Sequence, residues 1–339
     1  MKLSTPRWWY VRHDRQRSGG MPTIRLLLTP VSWIWAAVTA RRIARATPLD
    51  PGVPVICVGN LTMGGVGKTP VVRALAERLT ARGRAVHLLS RGYGGRLAGP
   101  VRVDPAIHGA AEVGDEPLML ARDYPVWVAR DRAAGAKAAA AAGAQVIVMD
   151  DGHQNPSVRK ALSLVVVDGE IRGEDWPFGD GRVFPAGPMR EPLAAGLARA
   201  EAVLVLLPGD LPSPDPDLAA MLQGPALLTG HLLPAAPPPP GPQVGFAGIG
   251  KPWKVQRALE AAGCELADFA SFPDHATYDE ATLRGLADRA QVFGAGLVTT
   301  EKDWVRLPPA WRARVAAWPV RAVFDDPAAL DAVLAKAGL

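Results

Sequence analysis

Short runs that are almost continuously apolar alternate along this chain with longer stretches whose apolar positions recur at helical spacing. The apolar runs are Val53–Val58, Ala85–Leu89, Val126–Ala129, Gln145–Met149, Leu164–Val167 and Ala202–Leu207. They are rich in β-branched residues and short, so each reads as a strand covered on both faces. Helical stretches separate several of them, including Val71–Leu79 and the Ala-rich segment 131–142. This order predicts an α/β fold with a mostly parallel sheet, helices on both faces and ligands at the carboxyl ends of the strands. After the Pro-rich run Leu233–Pro242 comes a shorter series. It comprises Val244–Ala247, helices around 253–262 and 279–291, Gly296–Thr300 and Val320–Phe324. The expected division is a first α/β domain over 51–232, a stiff linker over 233–243 and a smaller α/β domain over 244–339.

Residues 1–50 follow neither pattern. Trp8, Trp9 and Tyr10 lie among Arg7, Arg12, Arg15 and Arg17, and an apolar stretch from Ile24 to Ala40 carries Trp33 and Trp35. Arg25 intrudes near its start, Pro30 interrupts it, and Arg41, Arg42 and Arg45 close it. A full span takes about 20 apolar residues, slightly more than are present. Basic flanks with tryptophans suit a helix lying in or dipping into an anionic membrane surface. The competing reading is a Trp-rich helix packed on the first domain.

The first strand leads directly into chemistry. Gly59-Asn-Leu-Thr-Met-Gly-Gly-Val-Gly-Lys-Thr-Pro70 joins it to a helix, which is the context of a phosphate-binding loop. Glycines let successive backbone N–H groups turn toward an anion, and the helix N-terminus adds partial positive charge. Thr62, Met63, Gly64, Gly65, Val66, Gly67, Lys68 and Thr69 are the candidate nucleotide-binding residues. Lys68 would reach the β/γ-phosphates and the Thr69 hydroxyl would meet Mg²⁺. The strict motif has glycine where Thr62 stands. Downstream, Val146–Met149 ends in Asp150-Asp151, the form of an acidic strand end that holds a metal or its waters. Either carboxylate could be the nearer one. Arg91, Arg130, Arg132 and Arg190 follow strand ends or loops, as a second phosphate besides those of the nucleotide would require. Asp115 opens a helix and reads equally as its cap, and Asp274-His275 precedes another.

Composition narrows the partners. With 339 residues, 48% of them apolar and 21% charged, the chain can bury a core in each of two domains. A formal charge of +5 favours an anionic partner. No helix-turn-helix, zinc-finger or aromatic RNA-binding pattern accompanies it, so nucleic acid is not expected. The two cysteines, Cys57 and Cys264, form neither a ligand set nor a disulfide framework.

Taken together, these motifs resemble the tetraacyldisaccharide 4′-kinase family, the lipid A 4′-kinases of Gram-negative bacteria. The residues that carry the resemblance begin with the phosphate loop, Ser90-Arg-Gly-Tyr-Gly94, Val113-Gly-Asp-Glu-Pro117 and Asp150-Asp-Gly-His-Gln154. They continue with Val183–Pro192, Phe246–Pro252, Asp274-His275 with Tyr278, and Thr299-Thr-Glu-Lys-Asp303. The resemblance implies a P-loop kinase that uses ATP and Mg²⁺. Its acceptor would be the 4′-hydroxyl of an acylated glucosamine disaccharide 1-phosphate, at the cytoplasmic face of the inner membrane. It implies two α/β domains with a cleft between them and an N-terminal helix that meets the membrane. By motif, Asp115 corresponds to the catalytic base and His275 to its partner, reached from the other domain as the cleft closes. Asp151, Gln154 and Glu191 correspond to metal-side groups, and Arg132 and Arg190 to phosphate-contacting arginines. Arg91 and Tyr93 of the Ser90–Gly94 motif join the substrate-binding set. The family usually has Phe at His153 and His at Asn155, so those two side chains depart from it. The rival reading is a membrane-associated ATPase of the partitioning or targeting type, which shares Gly-Gly-Val-Gly-Lys-Thr. Such proteins usually carry a second lysine where Met63 stands, and nothing marks a dimer face, so a monomer is expected.

Overall fold

The computed structural model describes residues 6–12, 22–172, 175–209 and 211–339, with only the backbone of Arg7 and Pro22. Arg15 and Arg17, named above among the basic flanks, lie outside the described residues. The chain forms two compact units that interleave in sequence. The first comprises residues 1–91, 129–232 and 322–339, and the second 92–128 and 233–321. The contiguous boundaries expected from the Pro-rich linker therefore differ from the observed ones. The helix and strand within 92–128 continue the βα alternation of the first domain, a pattern that carries no information about which core they join.

The sheet of the first unit runs, in spatial order, Val320–Phe324, Ala226–Pro234, Ala202–Leu207, Leu162–Asp168, Val55–Gly59, Val146–Asp150 and Val86–Ser90. The strands from Val86–Ser90 through Ala226–Pro234 pair in parallel, with Val58 level with Asp150 and with Leu164. The strands Val55–Gly59, Val146–Asp150 and Leu162–Asp168 are buried at every position, as continuously apolar runs between two helical layers must be. Val320–Phe324 is a strand as expected but belongs to the edge of this sheet, not to the later series. Its neighbour Ala226–Pro234 carried no clear signal, being half exposed and broken by Gly230.

The second unit has a parallel sheet in the order Leu266–Ser271, Gln243–Ala247, Gly296–Thr300, Val315–Trp318. The helix Glu280–Val292 packs on it with Phe246, Leu283, Leu286 and Trp311, and Pro252–Ala261 packs through Leu259 against Val298 and Trp318. A short antiparallel pair, Val101–Arg102 with Val126–Val128, belongs to the same unit.

The N-terminal apolar stretch is one helix, Pro22–Ala44, with Pro30 inside it. It is bound to the first unit along one side only. Arg25, the intruding charge, is buried and pairs with Asp180 at 3.0 Å, and it also donates to the Trp8 carbonyl. Ser32 Oγ accepts from Ala186 N at 3.0 Å, Trp35 packs edge-on against Phe184, and its indole N–H donates to the Arg190 carbonyl at 3.1 Å. Leu26, Leu27, Val31, Trp33, Ile34 and Val38 are left exposed, the first two at about 70%. The packed helix of the competing reading is thus present. One side is packed, and the other is an uncovered apolar face of a kind that marks an interaction surface.

Candidate active site

In the first unit, the chain leaves Val55–Gly59 as an extended segment, turns through the glycines and enters the helix Lys68–Ala81. Gly67 caps that helix at φ 85°, and a Cβ there would stand 2.9 Å from both Leu206 and Leu232 side chains, so only glycine fits. Pro70 falls in the first turn, where no N–H is needed. The Lys68 ammonium lies 3.1 Å from Asn60 Oδ1 and 3.4 Å from Asp151 Oδ1. Asp151 sits just past the end of Val146–Asp150 with φ 52°, a left-handed conformation that costs energy outside glycine. Burial works to raise its pKa, but Lys68 and Arg190 outweigh that and bring it down to about 2. Asp150 is buried at the strand end itself.

Arg190 braces this loop from the far side. It donates from Nε to the Thr62 carbonyl at 3.0 Å and from Nη1 to Asp151 Oδ1 at 2.8 Å, while its own N–H reaches the Leu61 carbonyl at 2.8 Å. Gln154 donates to the Asn60 carbonyl at 2.9 Å and to Glu191 Oε1 at 3.0 Å. Glu191 is buried, and both its oxygens accept from Arg199 at 2.7 and 2.6 Å. Glu191 therefore acts on the loop through Gln154. Arg199 is a member of this network that no motif signalled. Arg132 opens the helix Arg132–Ala141 and is buried. Its Nη1 donates to the Ala129 carbonyl at 2.6 Å, while its Nε is enclosed with no acceptor. Burial, with the like charge of Arg91, lowers its pKa to about 10. An arginine held this way is a ready partner for an anion. Arg91 itself is exposed.

The second unit holds a separate ionic cluster. Asp115 begins the helix Asp115–Leu120 and is buried, with Oδ1 accepting from Glu116 N at 2.9 Å. Its Oδ2 is 2.9 Å from His275 Nδ1 and accepts from Arg306 Nε at 2.8 Å. Both residues belong to this unit, so the expected meeting across a closing cleft is corrected: the pair is already hydrogen-bonded within one compact body. Burial alone would raise the Asp115 pKa. The His275 hydrogen bond and the charges of Lys302 and Arg306 instead hold it far below the usual carboxylate range. His275 has φ 56°, and its ring stands 5.3 Å from that of Tyr93, which is 68% exposed. Lys302 donates to Glu116 Oε1 at 3.0 Å and lies 3.7 Å from Asp274. Arg306 carried no signal in the sequence beyond standing three residues past the Thr299–Asp303 motif.

Comparison with known proteins identifies the family. The family model described as tetraacyldisaccharide-1-P 4′-kinase matches residues 24–338. A tetraacyldisaccharide 4′-kinase of Phenylobacterium zucineum is 72% identical over 334 residues, covering 98% of this chain and 99% of its own. One from Caulobacter vibrioides is 69% identical over 339 residues, covering both chains fully. In fold, the chain is similar to a crystal structure of "apo" form LpxK from Aquifex aeolicus in complex with ATP. The TM-score is 0.72 at 24% identity, with 93% of this chain and 99% of that one covered. The chain belongs to the tetraacyldisaccharide 4′-kinase family.

Proposed function

We propose that the chain transfers the γ-phosphoryl group of ATP to the 4′-hydroxyl of tetraacyldisaccharide 1-phosphate, with the phosphate loop and the Asp115–His275 pair in the two decisive roles. The loop residues 62–69 hold the nucleotide phosphates, Lys68 neutralises charge on the transferring group, and the enclosed Arg132 with Arg91 and Arg190 serves the anionic groups around it. Asp115 takes the proton of the acceptor hydroxyl as the P–O bond forms, with His275 beside it. Tyr93, exposed next to His275, offers a ring face to the sugar.

The donor set suits Mg²⁺. Asp150, Asp151 and the Thr69 hydroxyl are hard oxygen ligands, and among the described residues no group of three or more His, Cys, Asp or Glu could form a closed cage. Magnesium commonly takes one or two carboxylates together with phosphate oxygens and water. When bound, the ion would neutralise charge on the β- and γ-phosphoryl oxygens. Gln154 and Glu191 stand behind these groups and keep the loop in shape.

The observation that carries the reading is the 2.9 Å contact between Asp115 and His275, two family-motif residues 160 positions apart. A partitioning-type ATPase has no need of a proton acceptor for a sugar hydroxyl. The uncovered face of Pro22–Ala44, with Arg41, Arg42 and Arg45 at its end, supports attachment to the anionic cytoplasmic face of the inner membrane, where an acylated acceptor resides. The deciding experiment incubates the protein with γ-labelled ATP and the acylated disaccharide 1-phosphate in mixed micelles. Label on the lipid is expected; label released only as free phosphate would overturn the reading in favour of an ATPase.

A further inference from the structure

The contacts of Asp115 lead to a group outside every motif. Arg306 is 7% exposed and makes contacts in two directions. Its Nε and Nη2 face Asp115 Oδ2 at 2.8 and 2.6 Å. Its Nη1 donates to the Gly248 carbonyl at 2.9 Å and to Asp303 Oδ1 at 2.9 Å. That same Gly248 carbonyl accepts from the backbone N–H of His275 at 3.1 Å. One guanidinium thus touches the side chain of Asp115 and, through a shared acceptor, the strained backbone of His275.

Asp303 fixes Arg306 in turn. It has no exposed surface, and its Oδ1 accepts from Tyr278 Oη at 2.6 Å and from Gly248 N at 3.0 Å, while Oδ2 accepts from Thr300 Oγ1 at 2.6 Å. Gly248 is confined by this arrangement, since a Cβ there would lie 2.7 Å from the Tyr278 hydroxyl and 3.0 Å from Asp303 Oδ1. A buried carboxylate that accepts this many hydrogen bonds is an anchor with a single geometry. A buried charge network is costly to desolvate and is a weak source of net stability, so its position beside a reacting group calls for another reason.

We propose that Arg306, oriented by Asp303, is the positioning residue of the Asp115–His275 pair. It keeps the Asp115 carboxylate charged and aimed while holding the His275 backbone in its left-handed turn. This rests on the assignment of Asp115 as proton acceptor. The planar fork matters as much as the charge, because a lysine reaches from one point and cannot meet Asp115, Asp303 and the Gly248 carbonyl together. The other charged or titratable groups facing Asp115 are His275, Lys302 from the helix Glu301–Trp304, and Glu116 on its own helix. Asp274 stands beyond Lys302, and Asp303 behind Arg306.

The test compares full-length wild type, R306Q, R306K, R306A and D115A in the lipid-labelling assay at neutral pH. R306Q is expected to lose roughly 10²-fold in kcat with the KM for ATP nearly unchanged, as befits an interaction spent on the chemical step. R306K should give a smaller kcat loss. Guanidinium ion in the tens of millimolar should restore part of the activity of R306A and leave D115A unchanged. Should R306Q fail to fold, R306K and the rescue of R306A carry the same reading. A KM for ATP that rises in step with the kcat loss in the folded variants, or losses that follow the folded fraction with no rescue, would overturn the proposal. D115A separates the two levels. Wild-type labelling by D115A removes the proton-acceptor assignment itself, whereas an inactive D115A beside a wild-type-like R306Q removes only the positioning role.

Discussion

The two units carry ionic clusters built on opposite plans. In the first, Lys68, Asp151 and Arg190 stand around a glycine turn with the Asp151 side chain 41% exposed, so the cations are only partly satisfied by one open carboxylate. In the second, Asp115, Arg306 and Asp303 are all below 10% exposed and hydrogen-bonded to one another. The first arrangement leaves charge available to an incoming polyanion. The second has its charges matched before any ligand arrives, which suits a group that must hold one orientation while a proton moves. On the proposed roles, binding and proton transfer call for opposite degrees of saturation, and the two clusters lie in separate compact bodies.

The sharpest way to break that contrast is at Asp115. Asp115→Ala is expected to reduce kcat by roughly 10²–10⁴-fold, the range for a positioned base. The double variant with His275→Ala should lose far less than the product of the single losses, because the two act as a unit. Multiplicative losses, measured as kcat in the lipid assay, would reduce Asp115 to the first residue of a helix.

Lys68→Ala should lower kcat/KM for ATP by about 10²–10³-fold, as loss of one charged contact to the transferring group does. Its thermal stability should stay near the parent's, since a partly open pair contributes at most about 1 kcal/mol. Asp303→Ala tests the opposite plan. Leaving Arg306 without its anchor in a closed interior should cost about 3–5 kcal/mol. Denaturant melts of the two variants side by side check the comparison, and equal stability losses would erase it.

A weaker effect is expected at the uncovered helix face. Replacing Leu26, Leu27, Trp33 and Ile34 together by glutamine should raise the KM for the acylated acceptor several-fold, with that for ATP unchanged. Co-sedimentation with anionic vesicles should fall in parallel. Binding equal to the parent would mean that this face serves something other than a membrane.

How much of this was readable from the sequence differs between the units for a physical reason. The phosphate loop, its strand and its helix are contiguous, and hydrophobic periodicity marks Val55–Gly59 and Lys68–Ala81 to within a few residues. The acidic end of Val146–Asp150 follows from the same rule. The second cluster is assembled from positions up to 191 apart, so Arg306 has no local pattern to announce it. Asp115 and His275 became visible only through resemblance, and even then were assigned to different bodies. Val320–Phe324 was legible as a strand but not as an edge of the large sheet, because apolar alternation states what a strand buries and not which strand it joins.

His153, where the resemblance leads one to expect phenylalanine, offers the finest test of what is merely structural. It lies between the two acidic residues of the strand end and the bracing Gln154, yet its ring turns inward. Its Nδ1 is 2.7 Å from Ser163 Oγ and its Nε2 3.0 Å from the Gly196 carbonyl, with the residue 1% exposed. Burial, then the charges of Lys160 and Arg199, bring its pKa from the ordinary 6.5 down to about 4. The folded protein therefore keeps the ring neutral at a pH where the unfolded chain protonates it. The contribution is fully present above about pH 6.5 and is lost as pH falls from there through about 4. His153→Phe should abolish that portion of the stability–pH curve. At pH 8 it should also cost about 1–3 kcal/mol, because the Ser163 hydroxyl loses its hydrogen bond to the ring and the Gly196 carbonyl loses one of its donors. Adding Ser163→Ala should recover part of that cost without restoring the pH dependence. Kinetic constants at neutral pH should stay within a few-fold of the parent, as for a residue that touches neither nucleotide nor acceptor. Chemical denaturation followed from pH 8 to about pH 4 decides the matter. A parallel curve for His153→Phe would show that the titrating group lies elsewhere.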